Sequence, residues 1–181
     1  MDGKQLIYGV QLGLSYKIND WLSVLAGGRM KKIKSGYEGY LKAYMKENLG
    51  GAQLANLELD CDQSGWGLTP IIGVDAKLGR WNLAAKYEFK ANMNIENDTH
   101  EIVAPDAAAA FVAPYQNGVN TPSDLPSMLS VAASYEFLPS LRASVEYHFF
   151  DDKNAGMADG KQKTLKHGTH EYLAGVEWDI N

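Results

Sequence analysis

The sequence predicts an all-β fold, an antiparallel transmembrane β-barrel of which about seven strands are present. Three observations support this prediction. Apolar and polar residues alternate over runs of about ten residues, most clearly in 66–78 and 81–89. Very short and very long connections between the runs follow each other in turn. Aromatic residues gather near both ends of the runs, as they do at the two surfaces of a bilayer.

Seven runs are predicted as strands, because each places its apolar side chains on one face and its polar side chains on the other. Single-chain bacterial barrels use an even number of strands, so an odd number indicates that further strands exist. The runs cover approximately residues 5–18, 21–33, 66–78, 81–89, 129–137, 141–149 and 172–180.

The connections between the runs assign sides to the barrel. Tight turns are expected at Asn19-Asp20, Gly79-Arg80 and Pro139-Ser140, and long connections at about 34–56, 93–126 and 151–168. Short turns are typical of the periplasmic side and long loops of the extracellular side. No signal peptide precedes the first strand. We therefore expect residues 1–181 to be one fragment of a single β-barrel domain.

The polar face of the predicted strands carries charges of both signs, which suits a wet or plugged lumen lined by cross-strand pairs. A soluble β-sandwich or a lipocalin-like binder would show the same alternation with the apolar side inward. The two groups of aromatic residues favour the membrane. The residues expected on the polar face include Asp75, Lys77, Asn82, Lys86, Glu88, Lys90, Glu136, Arg142, Glu146, His148, Glu171 and Glu177.

Composition excludes several classes of protein. The chain is 45% hydrophobic, yet no run is long enough for a membrane-spanning helix. A net charge of −5 argues against nucleic acid as a partner. One cysteine, Cys61, cannot build a disulfide framework, and no metal-ligand spacing or hydrolytic constellation stands out. We therefore expect neither an enzyme nor a cofactor.

Residues 36–48 break the strand rhythm. Their aromatic and aliphatic side chains recur at the spacing of one helix face, which predicts a helix in an extracellular loop. Such a face would offer an adaptable apolar groove for ligand capture over the barrel mouth. The alternative is a helix that only packs on the rim of the barrel. The residues on this face are Tyr37, Tyr40, Leu41, Tyr44 and Met45.

The stretch 60–65 begins like a calcium-binding EF-hand loop. The twelfth position would be Ile71, where such a loop needs a bidentate carboxylate, so calcium binding of that type is excluded. Cys61 is expected to be a small strand residue in the polar, loop-side end of the third strand.

Several sequence motifs resemble those of the FadL-type outer-membrane transport family. In detail they are most similar to its Bacteroidetes members, some of which are labelled hemin receptors. They are Gly65-Trp66-Gly67-Leu68-Thr69-Pro70 with Trp81-Asn82-Leu83 after a tight turn, Leu125-Pro126-Ser127, and Leu138-Pro139-Ser140. The resemblance implies a fourteen-stranded monomeric barrel, plugged by an N-terminal hatch, with helical extracellular loops that catch ligand. This chain contains neither the hatch nor half of the strands.

The resulting expectation is a channel in the outer membrane of a Gram-negative bacterium, for passive uptake of small hydrophobic molecules such as long-chain fatty acids. Outer-membrane lipid and lipopolysaccharide would surround it. The loop residues named above would capture ligand, and Arg142 and His148 would contact a carboxylate head group. The alternatives are a structural or adhesive barrel that transports nothing, and a soluble β-sandwich or lipocalin-like binder.

Overall fold

The computed structural model describes residues 2–44 and 53–180, and strands dominate this part of the chain. Seven strands follow one another through the sheet in the order β1-β2-β3-β4-β7-β8-β9, while β5 pairs with β3 and with β6. Each of the seven predicted runs falls on one of these strands and extends at most two residues beyond it, so the predicted all-β, antiparallel arrangement is confirmed. The strands are β1 (Asp2–Lys17), β2 (Leu22–Tyr44), β3 (Gln53–Leu78), β4 (Trp81–Glu88), β5 (Asn94–Val103), β6 (Asn120–Pro122), β7 (Met128–Leu138), β8 (Leu141–Phe150) and β9 (Thr169–Trp178).

The chain divides into two compact units. Unit 1 consists of the described residues of Met1–Gly9, Lys31–Trp66 and Met93–Pro122. Unit 2 consists of those of Val10–Met30, Gly67–Asn92 and Ser123–Asn181.

Tight turns join the strands of three hairpins at the predicted positions. The side-chain oxygen of Asn19 accepts hydrogen bonds from the backbone N–H groups of Trp21 (3.0 Å) and Leu22 (2.9 Å). Gly79 has a φ angle of 62°, a left-handed conformation that glycine adopts without a steric penalty. Leu138 pairs with Leu141 across the third turn.

The prediction of a loop helix over 36–48 is wrong for residues 36–44. These residues continue β2 to Tyr44, and Met45 lies outside the described residues together with 46–48. Gly36 and Gly39 weaken a helix, whereas tyrosines favour a strand. Contact with the neighbouring strand also favours a strand over a helix here, because Lys42 Nζ on β2 lies 3.4 Å from Glu58 Oε1 on β3. The described residues of the connection expected over 34–56, namely 34–44 and 53–56, are consequently strand.

The connection 93–126 contains two strands that the alternation did not predict. β5 pairs antiparallel with β3, for example Gly65 with Ile95 and Cys61 with Thr99. β5 was missed because its exposed residues from Asn94 to Glu101 are all polar, which hides the alternation. The same connection contains a short helix, α1 (Ala109–Val112), between 3-10 turns at Asp106–Ala108 and Ala113–Tyr115.

Unit 1 has a small buried core under this helical segment. Its apolar members are Ile33, Met93, Ile95 and Val112, and Cys61 is fully buried with them. The prediction that Cys61 is a small strand residue is therefore confirmed.

Asn97 fixes the helical segment to the sheet of unit 1. Its residue exposure is 2%, and its side-chain N–H groups donate to the carbonyl oxygens of Pro114 (2.7 Å) and Gln116 (3.2 Å). Its side-chain oxygen accepts a 2.7 Å hydrogen bond from Gln63. A buried amide with this many partners holds the chain in one position.

Unit 2 presents an apolar face across the strands of its sheet. The register aligns Val74 with Ala85, Ala85 with Val131, Val131 with Tyr147, and Tyr147 with Tyr172. None of these side chains is charged, and Tyr172 is 79% exposed. An apolar face of this extent on the outside of a sheet is typical of a surface that contacts lipid.

Aromatic rings gather near both ends of the strands on this face, as predicted. Near the tight turns, the ring of Tyr135 lies 4.8 Å from that of Trp81 and 4.9 Å from that of Phe137, measured between centroids. Near the opposite ends, Tyr147 and Tyr172 are 5.3 Å apart. Aromatic side chains prefer the two interfaces of a bilayer.

Candidate functional site

The opposite face of unit 2 carries the charged side chains that the sequence placed there. Asp75, Asn82 and Glu146 lie on it, and so do Lys86 and His148. Asn82 donates a 2.8 Å hydrogen bond to Asp75. The predicted division of the strands into an apolar face and a charged face is therefore confirmed.

A cluster of charged side chains on this polar face surrounds Glu88. Arg29 Nη1 lies 2.8 Å from Glu88 Oε2, and Lys86 Nζ lies 2.8 Å from Glu88 Oε1. Arg29 also donates two hydrogen bonds to the side-chain oxygen of Gln11, at 2.6 and 2.8 Å. The Glu88 side chain is only 7% exposed, and a buried carboxylate requires such partners. Two cations share one carboxylate, so the cluster has an excess positive charge.

A depression of about 480 Å³ lies on the same face, in the half of the strands nearer the tight turns. Small side chains form its floor, and charged or polar side chains stand at its rim. The floor leaves room for a bulky apolar molecule because no long side chain fills it. The floor consists of Ala84, Ala132, Ser134, Ser144 and Gly175, and the rim of Asn82, Arg142, Glu146 and Glu177.

The predicted head-group residues are both on the polar face but do not form one site. Arg142 and His148 are six positions apart on β8, which corresponds to about 20 Å along a strand. Arg142 is already engaged by Glu177 through two hydrogen bonds, one of 2.6 Å from Nε to Oε2. His148 lies 3.4 Å from Glu146 and 3.6 Å from Glu171.

The predicted capture residues are divided between two faces of β2. Tyr37 and Leu41 have odd positions and share one face, whereas Tyr40 and Tyr44 share the other, because strand side chains alternate. Tyr37 contacts the helical segment of unit 1, with its ring 6.4 Å from that of Tyr115. Met45, the fifth predicted member, lies outside the described residues.

The cluster of Arg29, Lys86 and Glu88 was missed as a site. Lys86 and Glu88 were assigned to the polar face from the sequence, but their proximity to Arg29 depends on the register of three strands. Arg29 is on β2 and Glu88 on β4, with β3 between them. The surplus of cations over carboxylates at these positions becomes visible only when the register is known.

Across residues 2–44 and 53–180, no group of three or more His, Cys, Asp and Glu side chains is placed to hold a metal ion. In the same residues, no helix is long and apolar enough to span a membrane.

A sheet with one uncharged aromatic face and one charged face is the arrangement of a membrane β-barrel. The solved structures that are similar to this chain include two toluene transporters of the FadL family. The Ralstonia pickettii transporter TbuX is 12% identical, with a TM-score of 0.60 over 99% of this chain and 53% of its own. The P. putida transporter TodX is 10% identical, with a TM-score of 0.54 over 99% of this chain and 48% of its own.

The chain thus spans about half the length of these two proteins and has the fold of the corresponding part of a FadL-type barrel. No protein-family model and no curated protein matches its sequence.

Proposed function

We propose that this chain is part of a single β-barrel domain that forms an outer-membrane channel for passive uptake of small hydrophobic molecules. The channel would act as a monomer in a Gram-negative bacterium, surrounded by lipid and lipopolysaccharide. It would transport by diffusion, without catalysis and without a cofactor.

The observation that supports this proposal most is the contrast between the two faces of unit 2. Ala85, Val131 and Tyr147 lie side by side on one face and are uncharged. Lys86, Glu146 and His148 lie on the opposite face. The uncharged face can contact lipid hydrocarbon, and the charged face can contact water or a transported molecule. The strand segments that we propose cross the bilayer are β4, β7, β8, β9 and the last ten or so residues of β3.

The 480 Å³ depression is our candidate for the ligand path. Ser144 and Gly175 lie side by side in its floor, and an added Cβ on Gly175 would stand 3.4 Å from Ser144 Oγ. The charges at the rim are paired, for example Arg142 with Glu177. An apolar molecule can therefore occupy the floor without separating an ion pair.

Long-chain fatty acids are the substrates that we propose within this class. The support is the excess positive charge near Glu88, where Arg29 and Lys86 share one carboxylate. A second carboxylate could be held there by charge-assisted hydrogen bonds. Arg142 and His148 remain secondary candidates, since each already faces glutamate side chains.

We also propose that ligand capture involves Tyr37 and Leu41, which share one face of β2, and Tyr40 and Tyr44 on the other. Met45 belongs to the same proposal. Tyrosine offers a large amphipathic contact surface for such a role.

Uptake into liposomes tests the function. The full-length protein would be reconstituted, and entry of a fluorescent fatty acid and of toluene would be compared with protein-free vesicles. Faster entry of either molecule supports a channel. Correct insertion without uptake above the empty vesicles would favour the structural or adhesive barrel, and detergent-free monomeric expression would favour the soluble binder.

A further inference from the structure

We propose that the depression on the polar face of unit 2 selects neutral molecules that carry a hydroxyl group on a compact apolar body, such as small alcohols and phenols. This selectivity rests on the channel function proposed above and deepens it. It names a class of ligand that the depression favours over hydrocarbons and over carboxylates.

A row of uncharged hydrogen-bonding side chains crosses the depression. In the strand register Asn82 lies opposite Ser134, and Ser134 lies opposite Ser144. The next member of the row is Gly175, which has no side chain to cover the Ser144 hydroxyl. All four residues line the depression, so a molecule bound there would contact the row.

These side chains keep most of their hydrogen-bonding capacity for a ligand. Within the part of the chain that the structure describes, the hydroxyl groups of Ser134 and Ser144 have no hydrogen-bond partner. Asn82 uses one N–H in its 2.8 Å hydrogen bond to Asp75, which leaves its carbonyl oxygen and its second N–H. A ligand hydroxyl both donates and accepts, so it can pair with a serine and with the amide at once.

Two alanines adjoin this row on the side away from the tight turns. Ala84 lies opposite Ala132, and both line the depression. They are two positions from Asn82 and Ser134 along their strands, which corresponds to about 7 Å. A compact apolar body can lie on the two methyl groups while its hydroxyl reaches the row. The depression thus matches a molecule that is apolar at one end and hydrogen-bonding at the other.

The charged side chains around the depression disfavour an anionic ligand. Among the described residues that line it, Glu146 and Glu177 accompany one cation, Arg142. Arg142 is already bonded to Glu177, so a carboxylate in the depression would approach two glutamates and no unpaired cation. The charge balance is opposite to that at Glu88, where two cations share one carboxylate. A neutral hydroxyl avoids this repulsion.

A hydrocarbon of the same shape is expected to bind more weakly than the alcohol. It would displace water from the hydroxyl groups of Ser134 and Ser144 without offering them a partner, and a covered polar group without a partner costs free energy. An alcohol replaces the displaced water by its own hydroxyl. Sites with hydrogen-bonding groups therefore reject analogues that lack the hydroxyl.

Ligand binding by the purified full-length protein in detergent tests this proposal. The probes are para-fluorobenzyl alcohol and para-fluorotoluene, which differ only by the hydroxyl group, and fluorine NMR titrations measure both affinities. The ratio of the two affinities is expected to fall about tenfold in Ser134→Ala/Ser144→Ala. The alcohol should bind this variant more weakly and para-fluorotoluene more tightly. Comparing the ratio between proteins cancels the unequal partitioning of the probes into detergent.

A matched control removes two hydroxyl groups elsewhere. Ser15→Ala/Ser23→Ala changes β1 and β2 at positions that do not line the depression, and should leave the ratio unchanged. The carboxylate analogue para-fluorobenzoate should bind Ser134→Ala/Ser144→Ala as it binds the wild type. An unchanged ratio in that variant, an equal fall in the control, or an equal loss of affinity for the carboxylate would overturn the proposal.

The binding measurement separates this selectivity from transport. Retained binding of para-fluorotoluene shows that Ser134→Ala/Ser144→Ala is folded. A protein that takes up no hydrophobic molecule into liposomes can still prefer the alcohol, and a protein that transports such molecules can lack the preference.

Discussion

Arg29 and Glu88 are 59 residues apart in the chain, yet Arg29 Nη1 lies 2.8 Å from Glu88 Oε2. The guanidinium reaches across β3, which separates the two strands that carry these residues. Lys86 contacts the same carboxylate from the next inward position on β4. One nearly buried carboxylate thereby joins β2 to β4 on the polar face.

Replacing Glu88 by Gln is expected to destabilise the protein strongly. The change leaves Arg29 and Lys86, whose side chains are 27% and 38% exposed, without their shared anion, so the loss is expected to lie between that of an exposed pair and the roughly 3–5 kcal/mol of a fully buried one. Unfolding in urea, followed by tryptophan fluorescence, measures the loss. The control is Glu177→Gln, because the Glu177 side chain is 59% exposed and exposed pairs contribute only about 0–1 kcal/mol. Equal losses in the two variants would contradict the role of Glu88.

Filling the depression on the polar face is expected to slow uptake. Ser144→Phe places a ring over the floor, and overpacking of an occupied site costs roughly 1–3 kcal/mol, or about tenfold in occupancy by ligand. Ala174→Phe adds the same bulk on the apolar face, since Ala174 pairs with Val145 there. Liposome uptake rates of both variants check the prediction. It fails if the two variants transport equally well.

Asn97→Ala is expected to release the helical segment from the sheet of unit 1. The variant removes the side-chain donor to the Pro114 carbonyl oxygen and the acceptor of the Gln63 side chain, whereas the Gln116 carbonyl oxygen still accepts from the Val119 N–H, and each lost hydrogen bond contributes about 0.5–1.5 kcal/mol. Hydrogen exchange of residues 113–119 should become faster than in the wild type. Asn94→Ala provides the control, because Asn94 is an exposed residue of the same strand. Unchanged protection in the Asn97 variant would show that the segment is held by other contacts.

Glu58 should titrate below its ordinary pKa of 4.5. A hydrogen bond from Asn56 is the main cause of the lowered pKa, and Lys42 adds to it. Because the folded pKa lies below the unfolded one, the associated stability is present above pH 4.5 and disappears as the pH falls through the folded pKa. Glu58 lies outside the strand segments that we propose cross the bilayer.

A carboxyl-carbon NMR titration of Glu58 measures this pKa. Asn56→Ala should raise it more than Lys42→Gln does, following the order of the two causes. A pKa that is the same in Asn56→Ala and in the wild type would contradict the assignment.

The alternation of side chains was sufficient to predict the principal strands, their tight turns and their two faces. Val131 and Ser130 belong to different faces because the strand period is two, and this period can be recognised from neighbouring residues alone. The same local reading predicted that Cys61 is a small strand residue.

The errors arose where neighbouring strands determine the structure. Tyr37 and Tyr40 fit a helical period as well as a strand, and only pairing with β3 decides between them. β5 is too polar for its alternation to be recognised. Pairing with β3 and the helical segment bonded to Asn97 stabilise this strand, and neither can be read from its own residues. The contact of Arg29 with Glu88 depends on the order and register of β2, β3 and β4, which no local pattern contains.

β3 has 26 residues, whereas a barrel strand crosses a bilayer with about ten. Glu58–Trp66 is paired with β5, which belongs to a connection that the sequence assigns to the extracellular side, and we propose that this paired segment is exposed at the cell surface. An antibody or a bacteriophage approaching the cell would therefore meet a hydrogen-bonded ribbon. Recognition of that ribbon would depend on its folded shape, so antibodies raised against unfolded peptides from this region would bind intact cells poorly.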